Sequence, residues 1–345
     1  MNDRAFTAAQ DFLLSAKTYW STTMYRALRD SHGEEGSQTV ADVAQAIEDS
    51  TLYQVYAWYE RHLQRMKYAG RYGLVPYHNE RRIDLLSELD SEDSECTKES
   101  LTLPAYYTGV DIHQHPGGVW SDGIAGFVYE RGARTTTPLA GAAEKDVHER
   151  FTDLILEEGK PTNILDMGCG FGKSTQPFVR RLPDSTVEAI DLSVPCLRLA
   201  SYAAREAQAS NVRFRQMDAC RTDYEAGSFD LVTSTMVLHE MPPKTIEDLL
   251  DEAFRVLTPG GRMIHLDFYC LPDVFRRFIH YGHARRNNEP YMQPFAELQL
   301  SSLVSSKGFV DAQVAPFQES DRVDLDGNEA WRFPWTVISA TKPKT

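Results

Sequence analysis

The stretch "ILDMGCGFGKST" (residues 164–175) constrains this chain most. An apolar run ends at Asp166, and glycines follow at positions 168, 170 and 172. Glycine at alternate positions tolerates positive φ and lets a ligand approach the main chain closely. A helix opening after such a loop would present unpaired N–H groups to that ligand. The segment therefore reads as a strand, a binding loop and a helix start. Its third glycine comes one position too early for the dinucleotide pattern G-x-G-x-x-G. Lys173-Ser174-Thr175 also lacks the upstream glycine spacing of a phosphate-binding P-loop.

The same theme repeats downstream in "STVEAIDLS", "NVRFRQMDA", "SFDLVTSTMV" and "GRMIHLDFY", with helical stretches between them. One of these, "TIEDLLDEAFRVL", predicts a helix capped by Thr245 and Asp248 and stopped at Pro259-Gly260-Gly261. Two late apolar segments, "GFVDAQVAPF" and "WTVISATKP", would add strands at one edge. Strand–helix alternation implies an α/β fold with a mostly parallel sheet covered on both faces. Asp166, Asp191 and Asp218 then stand at the carboxyl ends of neighbouring strands, where open α/β sheets bind ligands. Asp191 lies at a distance suited to ribose hydroxyls, and Asp218 is placed to meet an adenine amino group.

These motifs resemble the class I S-adenosylmethionine-dependent methyltransferases, in particular the ubiquinone/menaquinone-type small-molecule branch. The likeness runs from "LDMGCGFG" through "AIDLS", "MDA" and "GSFDLVTSTMVLHEM" to "RVLTPGGRMIHLDF", about residues 145–270. It implies a Rossmann-like, doubly wound, mostly parallel sheet of seven strands. It also implies S-adenosylmethionine as cofactor and a small-molecule acceptor with an oxygen, sulfur, nitrogen or carbon nucleophile. Asp166, Gly168, Cys169, Gly170 and Gly172 would hold the methionine moiety. Asp191 would bind the ribose, Leu192, Asp218 and Ala219 the adenine, and Thr235 would stand near the methyl. A nucleotide-cofactor oxidoreductase and a non-catalytic cofactor-binding protein are the alternatives.

Transfer from a sulfonium needs alignment and exclusion of water, and a base only where the acceptor must lose a proton. His239, beside Glu240 just after the fourth strand, is the candidate base. His265, inside a strand, reads as a core histidine. The segment after the fifth strand supplies Tyr281, Arg286 and Asn288 as acceptor contacts. Arg285 and Arg286 would either bind an acceptor carboxylate or form ion pairs.

Upstream of the sheet, residues 1–90 read as helical. "TVADVAQAIEDSTLYQVYAWYERHLQRMKYAG" opens with a capping box, Thr39 to Asp42. Its apolar stripe is Val43, Ile47, Leu52, Val55, Tyr59, Leu63 and Met66, and Gly70 is its stop. Residues 91–142 form an acidic linker, centred on "SELDSEDSECTKES", and an irregular lid or connector. Residues 143–345 form the methyltransferase domain, with a helical insertion at about 271–306. "VDIHQHPGGVW" (110–120) places Asp111, His113 and His115 at alternate positions, which an extended backbone would turn to one side. Three such groups would suit a metal; no distant fourth ligand is evident, so no metal is assigned. The alternative is a lid, with Tyr106, Tyr107 and Trp120 as acceptor-facing walls and His113 and His115 as catalytic groups. A plain connector remains open.

A net charge of −14, from 36 Lys and Arg against 50 Asp and Glu, argues against nucleic acid as partner. No run approaches the roughly 18 apolar residues of a membrane span, and the start lacks a secretory signal pattern. Five widely spaced cysteines suit a reducing cytoplasm. The N-terminal helices offer a surface for a homodimer.

Overall fold

A computed structural model describes residues 2–33, 37–89, 96, 101–134, 146–320, 323–324 and 329–344. Most of the acidic stretch 87–100, and the connector beyond residue 134, lie outside the described residues.

The chain begins with α1 (Asp3–Tyr19), which passes through a π-helical turn (Trp20–Met24) into α2 (Tyr25–His32). Then come α3 (Val40–Ile47), α4 (Thr51–Ala69), α5 (Leu74–Asn79) and α6 (Arg82–Leu89). The capping box is present: Asp42 N–H donates to Thr39 Oγ1 at 3.2 Å, and Thr39 N–H to Asp42 Oδ2 at 2.8 Å. The single long helix expected here is instead two, because Ser50 caps a new start by accepting from Tyr53 N–H. Gly70 closes α4 as expected. The predicted stripe fails along α4: Val55 and Met66 are each 46% exposed, and the inward face carries Tyr53, Tyr56, Glu60, Leu63, Gln64, Lys67 and Tyr68. Three of those inward positions are polar, so hydrophobic periodicity alone misplaces the face.

The segment expected to be irregular contains α7 (Ala105–Thr108), a 3₁₀ turn (Ile112–Gln114) and α8 (Ala125–Ala133). Helix α8 sits so close to the following domain that a Cβ on Gly126 would lie 2.4 Å from the Pro195 carbonyl oxygen.

Next come α9 (Val147–Glu157), β1 (Asn163–Met167), α10 (Gln176–Arg181), β2 (Thr186–Asp191), α11 (Val194–Glu206), β3 (Val212–Gln216) and β4 (Phe229–Thr235). They are followed by α12 (Pro243–Val256), β5 (Leu257–Phe268), α13 (Val274–Arg286), α14 (Met292–Ala296), α15 (Leu300–Ser306), β6 (Val310–Pro316) and β7 (Trp335–Thr341). Among the described residues these seven strands form one sheet in the order β3-β2-β1-β4-β5-β7-β6. β1 to β5 are parallel, and β7 inserts antiparallel between β5 and β6.

Strand side chains alternate between two cores. Leu165, Met167, Val232 and Met263 pack towards Ile246, Leu249, Leu250 and Ala253 of α12. Ile164, Leu231, Ile264 and Leu266 face the other way, with Phe151, Ile155 and Phe178. Both faces are covered, so the strands read as nearly continuous apolar runs. Helix α12 begins at Pro243 without a side-chain cap, so the Thr245–Asp248 box is not used. Pro259-Gly260-Gly261 falls within β5, and the helix stops earlier, at Val256. The N-terminal helices dock on α13: Trp20, Tyr25, Leu28 and Tyr56 pack with Phe275, Phe278 and Ile279. No helix among the described residues is long and apolar enough to cross a membrane.

Candidate active site

The loop after β1 is left-handed at its glycines: φ is +73° at Gly168, +52° at Gly170 and +84° at Gly172. A Cβ at 168 would fall 2.5 Å from Val237 Cγ2. At Gly170 the nearest atom would be Tyr129 Cε1 at 3.9 Å, so this backbone faces open space. Gly172 does not line the cavity; its missing side chain admits Ala200 and Phe214.

Asp191, ending β2, ties the loop down. Its Oδ2 accepts from Gly170 N–H at 2.8 Å and its Oδ1 from Ser193 N–H at 2.7 Å. Burial outweighs these bonds and pushes its carboxyl up to about 6. Asp166 is also pushed up to about 6 by burial, although Thr175 and Ser174 hydroxyls donate to Oδ2 at 2.7 and 2.9 Å. Asp166 lies behind the cavity wall, and its Oδ1 is buried with no hydrogen-bond partner. Asp218 lies beyond β3 and accepts from Cys220 N–H at 2.9 Å.

These strand ends open into a cavity of about 230 Å³. Gly168, Cys169, Gly170, Asp191, Leu192, Asp218, Ala219 and Thr235 all line it. Beyond β4 the chain makes a tight turn, with Met236 at φ +58°. Asp267, near the end of β5, organises that turn: its Oδ2 accepts from the N–H groups of Val237 at 3.0 Å and Leu238 at 2.7 Å. Its Oδ1 stands 2.6 Å from His239 Nδ1. Burial opposes a charge on His239, but Asp267 and then Glu240 outweigh it and raise its proton affinity. His265 is fully buried in the sheet with Nδ1 2.7 Å from Ser234 Oγ, and burial lowers it to about 4.

The opposite wall comes from upstream segments. Tyr106, Tyr107, His113 and Tyr129 line the cavity, as do Lys17, Gln64 and Tyr68. The histidine stretch is not extended. His113 and Gln114 have φ of +57° and +58°, and the three candidate ligands diverge. Asp111 accepts from Gly117 N–H at 3.1 Å, His115 stacks on Tyr68 at 5.0 Å, and His113 turns into the cavity.

His113 stands between two carboxylates. Its Nε2 is 3.0 Å from Glu240 Oε1 and its Nδ1 3.2 Å from Glu289 Oε1. Burial alone would depress it, but Glu240 and Glu289 raise it to about 10. Glu289 is buried, yet His113 and then His283 hold it well below the usual carboxylate range. His283 Nδ1 lies 2.5 Å from Glu60 Oε1, and Glu60 also pairs with Arg286.

Several expected residues lie off the cavity wall. His115 is behind Tyr68, and Arg286 is consumed by Glu60 and by Tyr53 Oη at 3.3 Å. Asn288 donates to the Asp111 carbonyl at 3.2 Å and so braces the turn. Trp120 lies over Gly118, and Tyr281 is buried in α13 away from the cavity. Gln64 and Tyr129 line the cavity without having stood out in the sequence, and Glu289, one polar group of the segment after β5, meets His113 there. A signal for the first was present: Glu60, Gln64 and Lys67 recur at helical spacing on one face of α4.

Residues 164–261 match the family described as methyltransferase domain. The demethylmenaquinone methyltransferase of Thermus thermophilus is 35% identical over 130 residues, covering 38% of this chain and 57% of that protein. The 27-O-demethylrifamycin SV methyltransferase of Amycolatopsis mediterranei is 31% identical over 167 residues, covering 48% and 53%. The chain thus spans about half the length of the curated relatives it matches. Among solved structures, phosphoethanolamine N-methyltransferase 2 of Haemonchus contortus overlaps with a TM-score of 0.44 at 19% identity, covering 56% of this chain and 52% of that one. The match thus places a methyltransferase domain at residues 164–261, the stretch that carries the glycine loop, Asp191 and Asp218.

Proposed function

We propose that the protein transfers the methyl group of S-adenosylmethionine to a hydroxyl of a small molecule. The observation that carries this reading is the Asp267–His239 pair, whose His239 lines the same cavity as the glycine loop, Asp191 and Asp218.

The residues fit the cofactor. Gly170 leaves open space where a side chain would intrude, and Asp166 Oδ1 is a buried acceptor without a donor. Gly168, Cys169 and Gly170 would hold the methionine end, with Asp166 behind them bracing the loop through the Ser174 and Thr175 hydroxyls. Asp191 would accept from ribose hydroxyls through its remaining lone pairs, and Asp218 and Ala219 would meet the adenine. When bound, the cofactor supplies an electrophilic methyl on a positively charged sulfur.

The chain supplies the proton acceptor. His239 Nδ1–H donates to Asp267, which fixes the tautomer and leaves Nε2 to accept. The acceptor hydroxyl would give its proton to Nε2 as its oxygen takes the methyl, and Asp267 would stabilise the imidazolium formed. His113 does not suit this role, because it already holds a proton on each nitrogen. Tyr106, Tyr107 and Tyr129 would exclude water. The Amycolatopsis relative is a methyltransferase named for an oxygen acceptor, which supports this reading.

Residues 143–345 would form the catalytic domain, with residues 1–142 and the insertion at 271–306 closing the acceptor side. α1 and α4 expose Phe12, Tyr19, Val55 and Trp58, a surface suited to a second copy. The odd number and wide spacing of the cysteines support a reducing, cytoplasmic setting.

The test is calorimetry with S-adenosylhomocysteine and NADPH, followed by labelled-methyl transfer to a panel of hydroxylated metabolites. Binding of the first alone, with label appearing as an ether, is expected. Binding of NADPH alone would overturn the assignment.

A further inference from the structure

Glu240 Oε1 sits between two histidines. It is 3.0 Å from His113 Nε2 and 4.0 Å from His239 Nε2, the nitrogen assigned above to receive the proton. The first distance is a hydrogen bond and the second is not. A movement of about 1 Å by this carboxylate would close the second distance to hydrogen-bond range. His239 would then carry a proton on Nε2, since a carboxylate only accepts, and it could no longer take one from the acceptor.

His113 is built to oppose that movement. Both its ring nitrogens face carboxylate oxygens, so both must bear hydrogens, and the ring is an imidazolium. Glu289 fixes its far side, and His283 Nε2 stands 3.6 Å from that same Glu289 oxygen. The His113 carbonyl accepts from Gln64 Nε2 at 2.9 Å, and Tyr129 stacks at 6.2 Å with an 11° tilt. Left-handed φ at His113 and Gln114 aims the ring inward, a conformation held by these contacts.

We infer that His113 is a positioning residue that holds Glu240 away from His239 and so keeps the base nitrogen open. This rests on the assignment of His239 as base, but it predicts a coupling measurable without turnover. The charged and titratable groups around His113 are Glu240 beyond β4, Glu289 beyond α13, His283 of α13, Lys67 and Tyr68 of α4, Lys17 of α1, Tyr129 of α8 and His115 of its own turn.

The experiment is an NMR titration of the His239 ring in the full chain, assigned by comparison with His239→Gln. His113→Gln should raise the His239 pKa by about one unit, tenfold in proton affinity. In a Glu240→Gln background the same change should move it by less than about a third of that. His113→Lys, which restores a cation, should return it towards wild type. No shift in His113→Gln, or an equal shift in both backgrounds, would overturn the proposal. Should His113→Gln fail to fold, Glu240→Gln alone decides. A small fall in the His239 pKa is expected, and a fall of about one unit would show that Glu240 already bonds His239. Methyl transfer by His239→Gln separates the two readings: full activity there would remove the base assignment and leave the coupling intact.

Discussion

Asp267 binds His239 and the turn that carries it with a single carboxylate: Oδ1 meets His239 Nδ1 at 2.6 Å, while Oδ2 takes the N–H groups of Val237 and Leu238. Orientation of the His239 ring and shape of the turn are thus one structural device. Asp267→Asn should lower kcat by about 10²–10⁴-fold, the usual range for losing an oriented base. Its affinity for S-adenosylhomocysteine, measured by calorimetry, should change little.

The pH profile follows from the raised proton affinity of His239. As the proposed base, His239 must be neutral to work. Activity should therefore climb as pH rises through a midpoint above the ordinary histidine value, and His239→Gln should abolish that limb. Initial rates of labelled-methyl transfer across pH 5–9 would check this; a limb centred below about 6.5 would contradict it.

Asp191 and Asp166 are each pushed up to about 6 by burial. The protonated forms favour the folded state, so their contribution to stability is complete below the ordinary aspartate value and is lost as pH rises through about 6. Cofactor binding runs the other way, because ribose hydroxyls bond more strongly to an ionised carboxylate. S-adenosylhomocysteine affinity should rise between pH 5 and 7 in wild type and become flatter in Asp191→Asn.

The two cavity-lining glycines of the loop should respond differently to alanine. At Gly168 the new Cβ would collide with Val237 at 2.5 Å and would sit at φ +73°, so both folding stability and binding should fall. At Gly170 only the backbone cost, about 1 kcal/mol, opposes folding, yet the methyl would project towards the cofactor. Urea unfolding and calorimetry on the two variants would show the contrast.

Arg286 and Glu60 form a buried pair between α13 and α4. Arg286→Leu alone should cost about 3–5 kcal/mol, because Glu60 keeps a buried charge with fewer partners. Arg286→Leu with Glu60→Leu should cost less than the single change, measured by urea unfolding.

Much of the sheet domain was legible because its signals are local. Each strand is an apolar run, Asp166, Asp191 and Asp218 fall at or just beyond the ends of β1, β2 and β3, and the glycine loop needs only its own residues. The N-terminal region was legible as helix, and Thr39 and Asp42 marked one start correctly. What failed there was the face of α4, since Glu60, Gln64 and Lys67 point inward towards other polar groups, against the assumption that inward means apolar. Alternate spacing puts His113 and His115 on one side only where the backbone is extended, and here it is not. Two left-handed residues in succession, neither of them glycine, separate them, and such φ values have no clear signature in composition.

The sequence by itself determined the strand–helix alternation of the sheet, the glycine loop after its first strand and His239 as a residue beyond the fourth strand. Tertiary structure alone decided the cavity wall opposite the sheet. His113 meets Glu289 across 176 positions and Glu240 across 127, and His283 meets Glu60 across 223. Contacts at that separation leave no periodic trace in a chain. They form because α4, the 112–114 turn and α13 pack against the sheet's carboxyl edge, where burial forces each charge to find an opposite one.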